Sequence, residues 1–255
     1  MQSNRKRNFH PNPQVVYGLH PLIEAIKSGR PVEKLLMQQG AGGELFMELK
    51  KIAVAAGIPV QSVPAEKLQR LCAGGNHQGA AGFVSLVEYA SLENLMPAAF
   101  EAGRVPLVLI FDRVTDVRNF GAMVRTAECT GVDAVVVPVQ GSAPVSEDAI
   151  KTSAGALMRV PVCRSENLKT TIHFLKASGL HVVAATEKAR TAYFEADLNQ
   201  PLAIIMGSEE DGVSSDLLKL CDESLRIPLQ GEIESLNVSV ACGIMLFETL
   251  RQRQR

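Results

Sequence analysis

Along residues 17–87, short apolar runs alternate with segments of helical period. Pro21–Ile26 has the pattern of a helix start, with proline in its first turn and Gly29 as its stop. Val32–Met37 follows as a strand. Glu44–Ala56 sets Leu45, Leu49, Ile52 and Ala56 on one stripe, the spacing of an amphipathic helix. Pro59–Val63 then predicts a strand, Ala65–Leu71 a short helix and Ala81–Val87 a further strand. Together they make an α/β module of ordinary domain size.

Ser91–Arg104 contains Pro97 and Gly103 and reads as a linker with one helical stretch. Leu107–Phe111 is apolar at every position, as a strand covered on both faces should be. Strands are further expected at Ala134–Val137, Val160–Cys163, His181–Ala185, Ala203–Met206 and Ser224–Ile227. Helical patterns separate most of them, at Ala122–Thr130, Glu147–Leu157, Leu168–Ser178 and Ser215–Leu220. This alternation predicts an α/β fold with a parallel sheet. The expected organisation is a flexible basic tail over 1–14, a small domain over 15–89, a linker over 90–104 and a larger domain over 105–255. The last helix, Asn237 to about Arg253, has almost no polar face along its first turns. Such a helix must be covered on every side, so a second copy of the chain is the expected cover, with the centre of a monomer as the alternative.

Composition adds three limits. No apolar run reaches the roughly 18 residues of a membrane span, and Met1–His10 is basic and polar where a secretory signal would be apolar. Five scattered cysteines without a C-x-x-C pair argue against a disulfide framework or a zinc knuckle and for the reducing cytoplasm. Five dispersed histidines argue against a metal centre. The net charge of −1 conceals an asymmetry: residues 1–100 hold 10 Lys and Arg against 7 Asp and Glu, the remainder 16 against 20. Phosphate needs local positive potential, so the first part, which includes Arg5-Lys6-Arg7, is the better candidate for handling nucleic acid.

Three polar islands stand where apolar strand runs give way to a loop or a helix, the place where α/β proteins hold ligands. They are Asn119-x-Gly121-x-x-x-Arg125-Thr126-Ala127, Gly207-x-Glu209-x-x-Gly212, and Ser235-Leu236-Asn237-Val238-Ser239-Val240-Ala241. No P-loop, dinucleotide glycine fingerprint or nucleophile elbow accompanies them. Gly74-Gly75-Asn76-His77-Gln78-Gly79 is glycine-rich but precedes a strand, which fits a flexible loop better than a phosphate cradle. Arg125 supplies a cationic fork suited to phosphate and is expected to share a helix face with Asn119 and Phe120. Glu209 is placed to orient Arg125 or to accept a proton, and Ser235 and Asn237 are hydrogen-bonding groups at a helix start. Plainer readings exist for each: Asn119, Asn237 and Ser235 as caps, Arg125 as a surface ion pair with Glu128 or Glu209, and Glu209-Glu210-Asp211 as a solvated loop.

In this order and with these gaps, the islands resemble the signature motifs of the SpoU/TrmH family, RNA 2′-O-methyltransferases of the SPOUT superfamily, over about residues 105–250. Tyr17-Gly18-Leu19-His20-Pro21 and Asn76-His77-Gln78-Gly79 also resemble the L30e-like substrate-binding domain of the branch that methylates large-subunit rRNA. Beside the homodimer expected from the last helix, the resemblance implies a SPOUT-type sheet with a deep trefoil knot. It implies S-adenosylmethionine held at Thr186, Gly207, Ile227 and Leu236, and a catalytic set of Asn119, Arg125, Glu209, Ser235 and Asn237. One position departs from the pattern: Val117 stands where the family commonly has proline, which removes a rigid φ and suggests a looser turn before Asn119.

The expected activity is therefore S-adenosylmethionine-dependent 2′-O-methylation of a guanosine in 23S rRNA. A tRNA enzyme of the same family is the near alternative, and a catalytically silent RNA-binding or ribosome-assembly factor is the distant one.

Overall fold

The computed structural model describes residues 15–232 and 235–254, so the basic tail over 1–14 lies outside the described residues. The chain divides into two compact units between Leu86 and Val87.

In the N-terminal unit the chain runs β1 (Val15–Tyr17), α1 (Leu19–Lys27), β2 (Val32–Gln38), α2 (Glu44–Ala55), β3 (Val60–Val63), α3 (Ala65–Leu71) and β4 (Ala80–Val84). The strands form a mixed sheet in the order β1-β4-β2-β3. Successive side chains of β2 face opposite ways. Leu35 and Met37 pack with Leu22 of α1 and Phe46 and Leu49 of α2, while Leu36 packs with Leu68 of α3.

The C-terminal unit continues with β5 (Tyr89–Ala90), α4 (Leu92–Glu101), β6 (Leu107–Phe111), α5 (Val117–Cys129), β7 (Ala134–Pro138), α6 (Glu147–Thr152), β8 (Val162–Ser165) and α7 (Leu168–Ala177). It ends with β9 (His181–Ala185), β10 (Thr191–Ala192), β11 (Leu202–Met206), α8 (Ser215–Leu218), β12 (Glu223–Arg226) and α9 (Val238–Arg253). Its eight strands lie in the order β10-β12-β9-β11-β6-β7-β8-β5, every pairing parallel. Leu107, Leu109 and Phe111 of β6 face one apolar layer with α5 and α9. Val108 and Ile110 face the other, with α4, α7 and α8. This two-sided cover is the reason the run is apolar throughout.

Residues 90–104, read as a linker, are instead part of this unit. They hold the end of β5, paired with β8, and all of α4, whose Leu92 and Met96 are buried. Pro97 sits inside α4, where it removes one helical hydrogen bond at a cost of about 3 kcal/mol. Burial of Leu92, Met96 and Ala99 on the face beside it favours the helix nonetheless. α5 starts at Val117, five residues before the apolar pattern suggested, because Asp116 caps it: its carboxylate accepts from the N–H of Arg118 at 2.9 Å and of Asn119 at 2.8 Å.

α9 is anchored at its C-terminal end. The Arg253 guanidinium donates to the carbonyls of Val105 at 2.7 Å, Pro106 at 3.1 Å and Gln200 at 2.7 Å. Along the helix Cys242, Met245 and Leu246 are buried, whereas Val240 and Phe247 are 52% and 53% exposed. The unit thus covers one side of this apolar helix and leaves a stripe of the other open.

Candidate active site

Because every strand of the large sheet is parallel, all strands end along one edge. β12, β9, β11 and β6 are consecutive neighbours, and the chain leaves the first three at residues already singled out: Ile227, Thr186 and Gly207. These ends line a cavity of about 830 Å³, to which Leu229, Ser235 and Leu236 add a further wall. Its size suits a drug-sized ligand, and Leu225, Ile227, Leu229, Leu236 and Met206 make much of its lining apolar.

Six of the nine expected site residues line this cavity: Thr186, Gly207, Glu209, Ile227, Ser235 and Leu236. Asn119 and Asn237 meet each other, Nδ2 of Asn237 donating to Oδ1 of Asn119 at 3.1 Å across 118 positions of chain. Asn237 is also the N-cap of α9, its Oδ1 accepting from the Ser239 N–H at 2.9 Å, so its plain role and its site role coincide. Asn119 is no cap, since Asp116 fills that place, and Ser235 lies two residues short of the α9 cap.

Arg125 stands apart from the cavity. It is exposed on α5 and makes no hydrogen bond or ion pair among the described residues. Glu128, one proposed partner, pairs with Arg159 at 3.6 Å, and no bond joins Arg125 to Glu209. The shared face with Asn119 and Phe120 is likewise corrected: Phe120 is fully buried. At about 100° per residue, Arg125 stands some 140° around the helix from Phe120 and 120° from Asn119. Its neighbours on the exposed face are Ala122 and Arg118, another arginine whose side chain has no partner among the described residues.

A network that sequence reasoning missed holds the 207–214 loop. Asp112 is buried, 4% exposed, and its Oδ2 accepts from the Ser214 N–H at 2.7 Å. Oδ1 accepts from Nε of Arg113 at 3.1 Å. The Arg113 guanidinium also reaches the Asp211 carboxylate at 3.1 Å and the Gly212 carbonyl at 3.0 Å. Hydrogen bonding to Asp112 pushes the Arg113 guanidinium above its ordinary range. Arg113 takes a left-handed φ of 58°, a strain of about 1–3 kcal/mol for a residue with Cβ, which these bonds sustain. Within the loop Ser208 and Gly212 exchange backbone hydrogen bonds at 3.1 Å. Gly207 is buried against the far side of that fold, where a Cβ would overlap the backbone of Gly212 and Val213. The available signal was an Asp-Arg pair directly after a wholly apolar strand.

Cys163 and Cys221 take no part: burial pushes the first thiol up to about 12 and the second up to about 11, well away from a reactive thiolate.

The sequence model of the SpoU rRNA Methylase family matches residues 106–247, over half of the chain. The chain belongs to this family. A second model, described as RNA 2′-O ribose methyltransferase substrate binding, matches residues 15–90. A Staphylococcus aureus protein provisionally named a TrmH family tRNA/rRNA methyltransferase is 38% identical over 239 residues, 94% of this chain and 96% of that protein. Among solved structures, an AdoMet-bound rRNA methyltransferase from Sinorhizobium meliloti is 26% identical, with a TM-score of 0.59 over 93% of this chain and 86% of that one. A TrmH/SpoU tRNA modifying enzyme from A. aeolicus is 29% identical, with a TM-score of 0.55 over 64% of this chain and 84% of that one. The SpoU-family chain is thus an RNA 2′-O-ribose methyltransferase by membership, with a catalytic unit and a substrate-binding unit.

Proposed function

We propose that this chain methylates the 2′-oxygen of a guanosine in large-subunit rRNA, using S-adenosylmethionine bound in the cavity at the ends of β9, β11 and β12. The observation that carries this reading is the convergence of Thr186, Gly207, Ile227 and Leu236, far apart in sequence, on one cavity. The cavity fits the group. Its volume is adequate, its apolar side chains suit an adenine ring, and the chain ends leaving a parallel sheet present backbone donors and acceptors to a ligand. Two features support rRNA over tRNA. The rRNA methyltransferase from Sinorhizobium meliloti aligns with 93% of the chain, whereas the A. aeolicus tRNA enzyme aligns with 64%. An N-terminal module of the kind that the resemblance links to the rRNA-methylating branch is present, and the RNA substrate-binding model covers it.

Bound in this cavity, S-adenosylmethionine supplies the methyl group as a sulfonium. Methyl transfer joins opposite charges that cancel as the new bond forms, so the apolar side chains of Ile227, Leu229 and Leu236 assist it. The ribose hydroxyl is a weak acid and must lose its proton as the O–CH3 bond forms. A guanidinium is a poor acceptor for that proton because its pKa lies above about 12, and a phosphate beside it would make it poorer still. Arg125 therefore acts as a donor. Free of intramolecular partners, it grips an RNA phosphate and lowers the energy of the developing alkoxide. Asn119, oriented by Asn237, positions the ribose, and Ser235 and Asn237 shape the pocket. The proton leaves to water, to the phosphate or to Glu209.

The same reading takes the segment between β12 and α9 as part of the deep trefoil knot of the SPOUT superfamily and the N-terminal unit as L30e-like. It places a second copy of the chain over Val240, Ile244 and Phe247, which recur along one side of α9 with Val240 and Phe247 open, and it locates the dimer in the cytoplasm with its RNA.

Titration calorimetry with S-adenosylmethionine, followed by mapping of 2′-O-methyl marks on total RNA with and without the protein, tests the reading. Saturable binding and one lost mark in 23S rRNA are expected. Cofactor binding without any lost mark would favour the silent factor, a lost tRNA mark the tRNA enzyme, and no binding at all would overturn the site.

A further inference from the structure

The N-terminal unit carries a cavity of about 530 Å³ that the methyl-transfer site does not use. It surrounds the turn between α3 and β4, and Gln38, Gln69, Asn76, His77 and Gln78 line it together with glycine backbone. No charged side chain belongs to that lining. What it presents is a ring of neutral amides around one imidazole, a poor match for phosphate, which calls for cations.

Hydrogen bonds inside the cavity decide which groups remain for a ligand. Nδ1 of His77 accepts from the Gly79 N–H at 3.0 Å. The neutral ring therefore carries its proton on Nε2, which donates to Oε1 of Gln69 at 3.3 Å. Oε1 of Gln78 accepts from the Leu19 N–H at 3.1 Å, satisfying a donor at the start of α1 that Gly18 has no side chain to cap. Both glutamine carbonyls are engaged within the protein, so both NH2 groups are left as donors. The side chains of Gln38 and Asn76 make no hydrogen bond among the described residues, so each offers a donor beside an acceptor. Gln78 is held at a left-handed φ of 49°, a conformation that costs a residue with Cβ.

Adjacent donors and acceptors on planar neutral groups match the edge of a nucleobase, which Asn and Gln amides can contact bidentately. Single-stranded RNA exposes such edges when its bases are splayed from the stack. We propose that this cavity takes one unpaired nucleobase of the RNA substrate and reads its edge through Gln69, Asn76 and Gln78. The proposal rests on the RNA reading above and adds the place where the N-terminal unit tells one base from another.

The test uses the full chain and fluorescence anisotropy with short single-stranded homo-oligomers of A, C, G and U, beside an abasic oligomer of equal length. At least one homo-oligomer is expected to bind about tenfold tighter than the abasic strand. Gln69→Ala combined with Asn76→Ala should erase that advantage while abasic binding stays as it was. Asn76→Asp, which replaces donors by an acceptor, should change which base is preferred, an effect that mere loss of structure does not produce. Base-blind binding by the wild type, or an equal loss on every oligomer in the variants, overturns the proposal. Calorimetry with S-adenosylmethionine on the same proteins separates the two readings: failure there sinks the active site, whereas base-blind RNA binding with the cofactor bound sinks this pocket alone.

Discussion

The 207–214 loop and the exposed face of α5 both belong to the catalytic unit, and they are prepared in opposite ways. The loop is tied from several directions: Asp112 holds Ser214, Arg113 holds Asp211 and Gly212, and Ser208 and Gly212 bond to each other. The α5 face carries Arg118 and Arg125 with no side-chain partner among the described residues. A small cofactor gains from a site already in its bound shape, because less ordering has to accompany binding. A polyanionic substrate is served by cations that no carboxylate has neutralised, because a paired guanidinium must first break its own bond. On the proposed reading, the contrast teaches that spare charge serves the RNA side of the site as built order serves the cofactor side.

The largest effect is expected from Arg125→Lys, which keeps the charge and removes the planar fork. The catalytic rate should fall about 100- to 1000-fold, the equivalent of roughly 3–4 kcal/mol, with affinity for S-adenosylmethionine unchanged by calorimetry. Near-normal turnover would remove the case for the guanidinium and with it the substrate half of the contrast. Gly207→Ala breaks the other half. Its Cβ would overlap the backbone of Gly212 and Val213, and overpacking of about 1–3 kcal/mol predicts cofactor affinity weakened by about fivefold to 150-fold. Unaltered affinity would mean that the loop's closed form is not what binds.

Two smaller effects sharpen the comparison. Asp222 precedes β12, at the edge of the sheet opposite the cavity, and its carboxylate accepts from Lys176 at 2.7 Å and from the Val182 N–H at 2.9 Å. Burial pushes this carboxyl up, but those two bonds prevail and hold it below its usual range. A depressed carboxyl contributes stability in full above its unfolded value and loses it as pH falls through the folded one. Asp222→Asn should therefore cost about 1 kcal/mol in urea unfolding at neutral pH, with the gap to wild type closing below about pH 4. A gap that does not depend on pH would assign the loss to packing.

Val117→Pro tests the substrate side. Asp116 already has the extended φ of −74° and ψ of 122° that a residue before proline adopts, and Val117 is the first helical residue, where proline is tolerated. A gain of about 0.4–1 kcal/mol, seen as a rise of about 1–4 °C in Tm, is expected. A loss would show that the partly buried valine side chain matters more than the freed backbone.

Much of the fold was legible because burial leaves a period in the sequence. Leu107–Phe111 announced a strand covered on both faces, and the alternation around it announced the parallel sheet. β5 and β10, at two residues each, are too short to carry a period. The helical stretch of α4 was visible, but Pro97 and Gly103 gave it the look of a linker, and only the packing around Leu92 and Met96 makes it part of the unit. At the site, the three islands were visible as polar residues where apolar runs stop. The buried Asp112 and its arginine were not, since an Asp-Arg pair after a strand looks the same whether it is solvated or locked.

Residue types and spacing alone determined the fold class, the places where chemistry gathers, and the family likeness, because all three depend on patterns local in the chain. Tertiary structure alone decided which of those residues share a cavity, that Asn119 meets Asn237, and that Arg125 faces outward without a partner. Contacts of that kind join positions as much as 118 apart. Helix rotation and strand order set them, and both are fixed by how the apolar layers close around the sheet.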